Sequence, residues 1–169
     1  MIDRSSFLAI VREAGRMEHA RWPGAGHALK RWDKTPGDTV SEADKGRTDS
    51  GLIWLVDPID GTRDFVRGRP GWSISVALVS AGKPLIGVLV APARGEEWIA
   101  EAGKGATLNG APLSASSRTE FSGARVPVDQ LPSADSDLVI VEKPNSIALR
   151  IAMVADDRAD LVATLRWGF

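Results

Sequence analysis

Six residues, Asp57-Pro58-Ile59-Asp60-Gly61-Thr62, constrain this chain more than any other stretch. They follow an apolar run, Leu52 to Val56 with Trp54 inside it, that reads as a buried strand. Pro58 has no N–H to give to a sheet ladder, so the strand is expected to end near Asp57. Gly61 permits a positive φ or the close approach of a ligand. Thr62 is placed to cap a short helix whose first turn holds Arg63 to Val66, with Gly68 just past its end. Two carboxylates and free backbone N–H groups would then be presented together at the carboxyl end of a strand. Such a place can hold a cation and a phosphate at once.

Turn chemistry alone explains Gly61 and Asp60, but not two carboxylates directly after an apolar strand. An EF-hand loop is excluded by spacing, because it sets acids at alternate positions before its glycine and Asp57 and Asp60 are three apart. Asp57 and Asp60 supply hard anionic oxygens, which suit Mg²⁺ better than a soft metal. Hydrolysis of a phosphate monoester needs cations on the phosphoryl oxygens and a positioned water, because the dianion repels an attacking oxygen.

The same six residues resemble the signature of the inositol monophosphatase family, lithium-sensitive, magnesium-dependent phosphomonoesterases. The resemblance implies an α/β (α+β) fold, the layered αβαβα sandwich of the inositol monophosphatase and sugar phosphatase type, here incomplete. It also implies Mg²⁺ held by Asp57, Asp60 and the Ile59 carbonyl, and a substrate phosphate on the N–H groups of Gly61 and Thr62. Ser41-Glu42-Ala43-Asp44 resembles the family's Thr-x-x-Asp segment. By that resemblance Asp44 and Thr62 are the catalytic pair that orients or deprotonates the metal-bound water. Ser146-Ile147-Ala148-Leu149 resembles the family's serine turn into a helix bordering the substrate, which puts Ser146 on the substrate side.

Two of the family's oxygen ligands lack a counterpart. Lys45 to Leu55 contains no glutamate, and the late part of the sequence, through Trp167-Gly168-Phe169, carries no counterpart of the family's late Trp-Asp segment. Ser41 with Asp44 makes a capping box that predicts a helix start. Yet Lys45 to Gly51 holds two glycines and no apolar residue to pack such a helix, each glycine costing about 1 kcal/mol against alanine. The expectation is a sequence that forms part of a longer protein.

Composition narrows the classes further. The 169 residues carry 43% hydrophobic and 25% charged side chains, ordinary for a folded chain with a core. A net charge of −1 leaves no electrostatic footprint for a nucleic acid polymer. With no cysteine there are no disulfides and no thiolate metal sites, which fits a reducing, cytoplasmic setting. The longest apolar runs, such as Leu85 to Ala91, are too short to span a bilayer. The expected partner is a small phosphorylated substrate, and a homodimer is one assembly open to the chain.

Along the chain, Phe7, Leu8, Ile10, Val11, Ala14 and Met17 predict a helix from about Arg4 to Arg21, capped by Ser5 or Ser6 and stopped by Pro23-Gly24. His19 on this helix and His27 in a glycine-rich loop have no partner motif and read as ordinary surface or core residues. Lys30 to Lys34 reads as a short strand before a Pro36-Gly37-Asp38 turn. Ser73 to Val79 and Leu85 to Val90 read as strands around an Ala81-Gly82-Lys83-Pro84 hairpin signal. Trp98 to Ala102 and Ala106 to Leu108 continue the sheet, and Asn109-Gly110 favours a type I′ turn. The Gly103-Lys104-Gly105-Ala106 run and the Asn-Gly turn also resemble the family. Gly95-Glu96-Glu97 reads as a solvated turn and not as a metal segment. Ser114 to Ser136 reads as loop or a link to a second sheet, Leu138 to Val141 as a strand, Pro144-Asn145-Ser146 as the start of a helix, and Asp160 to Thr164 as a final strand. The organisation is read as an N-terminal metal- and phosphate-binding part, residues 1–124, and a partial C-terminal part, residues 125–169.

The leading function is a Mg²⁺-dependent phosphomonoesterase acting on an inositol monophosphate-like metabolite. A 3′(2′),5′-bisphosphate nucleotidase of the same family is the alternative, suggested by Gly82 to Val88 and Ala91-Pro92. From another class, the scaffold could bind a phosphorylated ligand or a protein without catalysis.

Overall fold

A computed structural model describes residues 4–23, 45–47 and 51–163. Helix α1, Arg4–Arg21, forms with the expected boundaries. Ser5 and Ser6 lie inside the helix and do not cap it. Its apolar stripe is narrower than the periodicity suggests. Phe7, Leu8 and Val11 are buried, whereas Ile10 and Met17 are 62% and 48% exposed. Each buried member contributes about 1.5–3 kcal/mol of apolar burial.

Seven strands follow one another in a single antiparallel meander: β1 Lys45–Arg47, β2 Leu52–Asp60, β3 Ser73–Ser80, β4 Lys83–Ala91, β5 Glu96–Glu101, β6 Gly105–Leu108 and β7 Ala111–Pro112. Period-2 alternation divides the sheet into two apolar faces. One face packs Val76, Ile86, Val88, Val90 and Ile99 beneath Phe7, Leu8 and Val11 of α1. The opposite face packs Leu89, Ala91 and Trp98 against Leu149 and Ala152 of helix α3, Ile147–Ala155. A two-stranded parallel sheet, β8 Arg125–Val126 with β9 Val139–Ile140, follows in the chain. Helix, sheet and helix are thus stacked in layers, and no helix of the described residues is long and apolar enough to cross a membrane.

The hairpin turns explain the meander. Ala81 and Gly82 adopt φ of 47° and 77°, and Asn109 and Gly110 adopt 49° and 84°. Paired left-handed residues of this kind match the twist of the strands they join.

Several expectations are corrected. At Lys45, where the capping box predicted a helix, the chain runs as a strand against Leu55 to Ile53. Ser41 and Asp44, the Lys30 to Lys34 strand, the Pro36-Gly37-Asp38 turn and His27 lie outside the described residues. Leu55 and Val56 of the supposedly buried strand are 42% and 39% exposed. They open on an apolar groove of about 560 Å³ between the sheet and α3, lined also by Ala77, Leu89, Trp98 and Ile151. Glu96 and Glu97 are strand residues held in ion pairs, Glu96 with Arg94 and Arg158 and Glu97 with Arg12, and not a solvated turn. The 114–136 segment is mostly loop, and it does link to a second sheet, since it contains β8 along with a single 3₁₀ turn, Ser133–Asp135. No strand forms at residues 160–163. There the N–H groups of Asp160 and Leu161 both donate to the Arg125 carbonyl, so the segment is tied to β8 without joining a ladder.

Candidate functional site

The acidic turn is built by a bulge. β2 does not stop at Asp57. It continues through Pro58 to Asp60, and its register slips: Asp57 faces Ser75 and Asp60 faces Ser73. Three steps on β2 match two on β3, so the residues between the aspartates are pushed out of the ladder. Pro58 costs nothing there, because β1 pairs only with Ile53 to Leu55 and a bulged edge position needs no N–H.

Gly61 takes φ 82° and ψ 33° and forms the entry to helix α2, Thr62–Val66. It is the capping position, not Thr62 as expected. The Thr62 hydroxyl instead donates to the Ile59 carbonyl at 3.0 Å and locks the turn just before the helix. The Gly61 carbonyl accepts from the N–H groups of Asp64 and Phe65 at 2.8 and 3.2 Å. Gly68, φ 67°, lies just past the end of the helix, as expected. The Gly68 and Arg69 N–H groups bond back to the carbonyls of Phe65 and Asp64 in a Schellman arrangement. Phe65 anchors it from below, edge-on to the fully buried Trp72 with ring centroids 4.8 Å apart.

Ser146 closes the site from the other end of the chain. It caps α3 by accepting the Leu149 N–H at 2.9 Å, and its hydroxyl donates to Asp60 Oδ2 at 2.7 Å. The Ala148 N–H donates to the same carboxylate oxygen at 2.8 Å. A hydroxyl has one proton, and this one is spent on the carboxylate. The Ser73 hydroxyl, 2.8 Å away, is therefore the donor to Ser146 Oγ. Both serines are fully buried. Asp60 Oδ2 is thus fixed by two donors, while Oδ1 makes no hydrogen bond among the described residues.

Of the residues the sequence singled out, Asp60, Gly61 and Ser146 converge directly: a Cβ on Gly61 would lie 2.7 Å from both the Gly71 carbonyl oxygen and the Ser146 nitrogen. Ile59 and Thr62 adjoin them through their own hydrogen bond, and Asp57 stands at the start of the bulge on the exposed side of β2. Asp44 lies outside the described residues. Among the described residues, no group of three or more acidic, histidine or cysteine side chains is arranged so that it could hold a metal ion. Sequence reasoning missed Ser73 and the Ala148 N–H. Their roles depend on long-range pairing, and no local signal marks them.

A layered α/β protein with an acidic turn at the bulged end of a strand is the class that fold and turn define. The chain belongs to the inositol monophosphatase family, whose model matches residues 32–167. It is 40% identical over 95 residues to the histidinol-phosphatase of Chlorobaculum parvum, covering 55% of this chain and 37% of that protein. It is 48% identical over 73 residues to the histidinol-phosphatase of Mycobacterium tuberculosis, covering 42% of this chain and 28% of that protein. Among solved structures, the Thermotoga maritima IMPase superposes with a TM-score of 0.77 at 26% identity, over 95% of this chain and 75% of that one. The chain therefore spans well under half the length of the two curated relatives, and the layered fold is that of the family.

Proposed function

We propose that this chain carries the metal- and phosphate-holding part of a Mg²⁺-dependent phosphomonoesterase for a small phosphorylated metabolite. The observation that carries the reading is the state of Asp60: one carboxylate oxygen is fixed by Ser146 and Ala148, and the other makes no hydrogen bond among the described residues. An oriented, half-satisfied carboxylate beside a second one fits a hard cation, which takes oxygen donors.

Asp57, Asp60 and the Ile59 carbonyl are the groups that would hold Mg²⁺. When bound, the ion supplies Lewis-acid polarisation of phosphoryl oxygens and makes a water more acidic. The chain's own residues do the rest. The first N–H groups of α2, which have no acceptor inside the helix, receive phosphate oxygens at Gly61 and Thr62. The Thr62 proton is committed to Ile59, so Thr62 Oγ1 can only accept. It orients an attacking water by one of its hydrogens, and Asp44 takes the proton.

For the substrate, an inositol monophosphate and a 3′(2′),5′-bisphosphate nucleotide stand beside histidinol phosphate, which the names of two relatives add. Phosphate release from all three, measured with the full protein and millimolar Mg²⁺, tests the reading. Magnesium-dependent turnover of one of them is expected, with inhibition by Li⁺ at concentrations where Na⁺ has no effect. Absence of Mg²⁺-dependent release from every ester would leave a non-catalytic scaffold, a reading favoured by the lack, among the described residues, of a group of three acidic side chains able to hold a metal ion.

A further inference from the structure

Asp64 sits in the middle of α2 with only 4% of its surface exposed, and the reaction scheme above gives it no part. Its carboxylate reaches across the fold to Asn145. Oδ2 accepts the Asn145 backbone N–H at 3.0 Å, and Oδ1 accepts the Asn145 side-chain amide at 2.5 Å. A buried carboxylate is costly unless hydrogen-bonded, and an apolar side chain would fill the space at less cost. What the carboxylate adds is direction. Both of its oxygens grip one residue, and that residue immediately precedes Ser146.

The surroundings leave the clamp little play. Gly71 is buried against it: a Cβ there would fall on Asp64 Oδ2 and lie 3.0 Å from Pro144 Cα. The Gly71 carbonyl accepts the Ser146 N–H at 2.9 Å, so the 144–146 backbone is held from two sides. Arg150 ties down the carbonyls of Pro144 and Asn145 at 2.9 and 3.1 Å. Asp64 also lines a polar cavity bordered by charges of both signs, among them Arg63, Arg67, Arg69, Asp129 and Glu142.

We propose that Asp64 is a positioning residue for the candidate metal site. It holds Asn145, which sets the Ser146 hydroxyl and the start of α3, and these hold Asp60 Oδ2 so that Oδ1 faces the cation. The inference rests on Asp60 being a metal ligand, as read above. It separates Asp64 from a residue that merely stabilises the fold, because its loss should be felt in the Mg²⁺ requirement.

The test uses the full protein with Asp64→Ala, Asp64→Asn, Ser146→Ala and the Asp64→Ala/Ser146→Ala double variant. Turnover is titrated with Mg²⁺, and amide hydrogen exchange is followed over residues 144–150. Asp64→Ala should raise the Mg²⁺ concentration for half-maximal rate about 10- to 100-fold, the usual cost of removing a residue that orients a ligand. Asp64→Asn, which keeps one acceptor oxygen, should recover most of that loss. The double variant should be within about twofold of Ser146→Ala alone, because the two residues act in one chain. An unchanged Mg²⁺ requirement in Asp64→Ala, or losses that multiply in the double variant, would overturn the proposal. If Asp64→Ala does not fold, Asp64→Asn carries the same comparison at smaller amplitude. A wild-type protein with no turnover counts against the phosphatase reading alone. The clamp is then judged by exchange: faster exchange at residues 144–150 in the Asp64 variant supports it, and unchanged protection overturns it.

Discussion

The Ser146 hydroxyl lies 2.7 Å from Asp60 Oδ2, although 86 residues of chain separate the two. The bond joins the bulged end of β2 to the cap of α3, so one side chain both starts a helix and orients a carboxylate. Loss of that hydroxyl should therefore be felt in two measurements at once. Ser146→Ala removes a helix cap, which costs about 1 kcal/mol of stability. It also leaves Asp60 Oδ2 with only the Ala148 N–H of its two donors, with a drop in metal-dependent rate of about 10- to 100-fold. Thermal melting together with Mg²⁺-titrated turnover checks the pair, and a stability loss with unchanged metal dependence would confine Ser146 to capping.

Gly61→Ala should be worse than a simple turn substitution. The residue sits at φ 82°, where an L side chain costs about 1–2 kcal/mol. The added Cβ would also lie 2.7 Å from two backbone atoms, the Gly71 oxygen and the Ser146 nitrogen, which cannot move aside as a flexible side chain can. Those two atoms are bonded to each other at 2.9 Å, so the methyl group would pry open the link that seats α3. Loss of activity with a clearly lowered urea midpoint is expected. A variant of wild-type stability would mean that the turn opens without α3.

Asp60→Asn separates charge from shape. The amide oxygen can still accept from Ser146 and the Ala148 N–H, so the fold should hold and the melting temperature should shift little. The anionic oxygen proposed to face the cation is gone, and metal-dependent hydrolysis should be abolished. Rates within a few-fold of wild type would remove Asp60 from the site.

Acid stability should depend on the second, smaller sheet. Asp160 accepts from the Arg125 side chain and backbone at 2.8–2.9 Å, and the Arg125 guanidinium holds its carboxyl well below the usual carboxylate range. A depressed folded-state value means that the stabilisation is complete above the unfolded value, about 3.9 for aspartate, and is lost as pH falls below it. Asp160→Asn lacks that term at every pH. Urea midpoints at pH 7 and pH 3 should therefore fall further for wild type than for the variant, and parallel falls would refute the assignment.

Much of the fold was legible because its signals are local. α1 appears from Arg4 to Arg21 because apolar residues recur every three or four positions, and the β3–β4 and β6–β7 hairpins appear because Ala81-Gly82 and Asn109-Gly110 turn the chain within two residues. The acidic turn was also legible, since its proline, glycine and carboxylates lie within six residues. Its details were not. Pro58 was read as a strand terminator, and only the partner strand shows that the ladder absorbs it as a bulge. Thr62 was read as a cap, and the left-handed Gly61 takes that position while the hydroxyl turns back to Ile59.

The sequence by itself determined the chemistry on offer: hard oxygen donors, a glycine that can turn left-handed, and a serine able to start a helix. Propensity, charge and donor type are properties of single residues and their near neighbours, so they can be read without a fold. Tertiary structure alone decided which of those groups meet. Ser146 reaches Asp60, Asp64 reaches Asn145 and Ser73 reaches Ser146 through pairings more than 70 residues apart. Packing of α3 and the sheet sets those distances, and no local pattern encodes them.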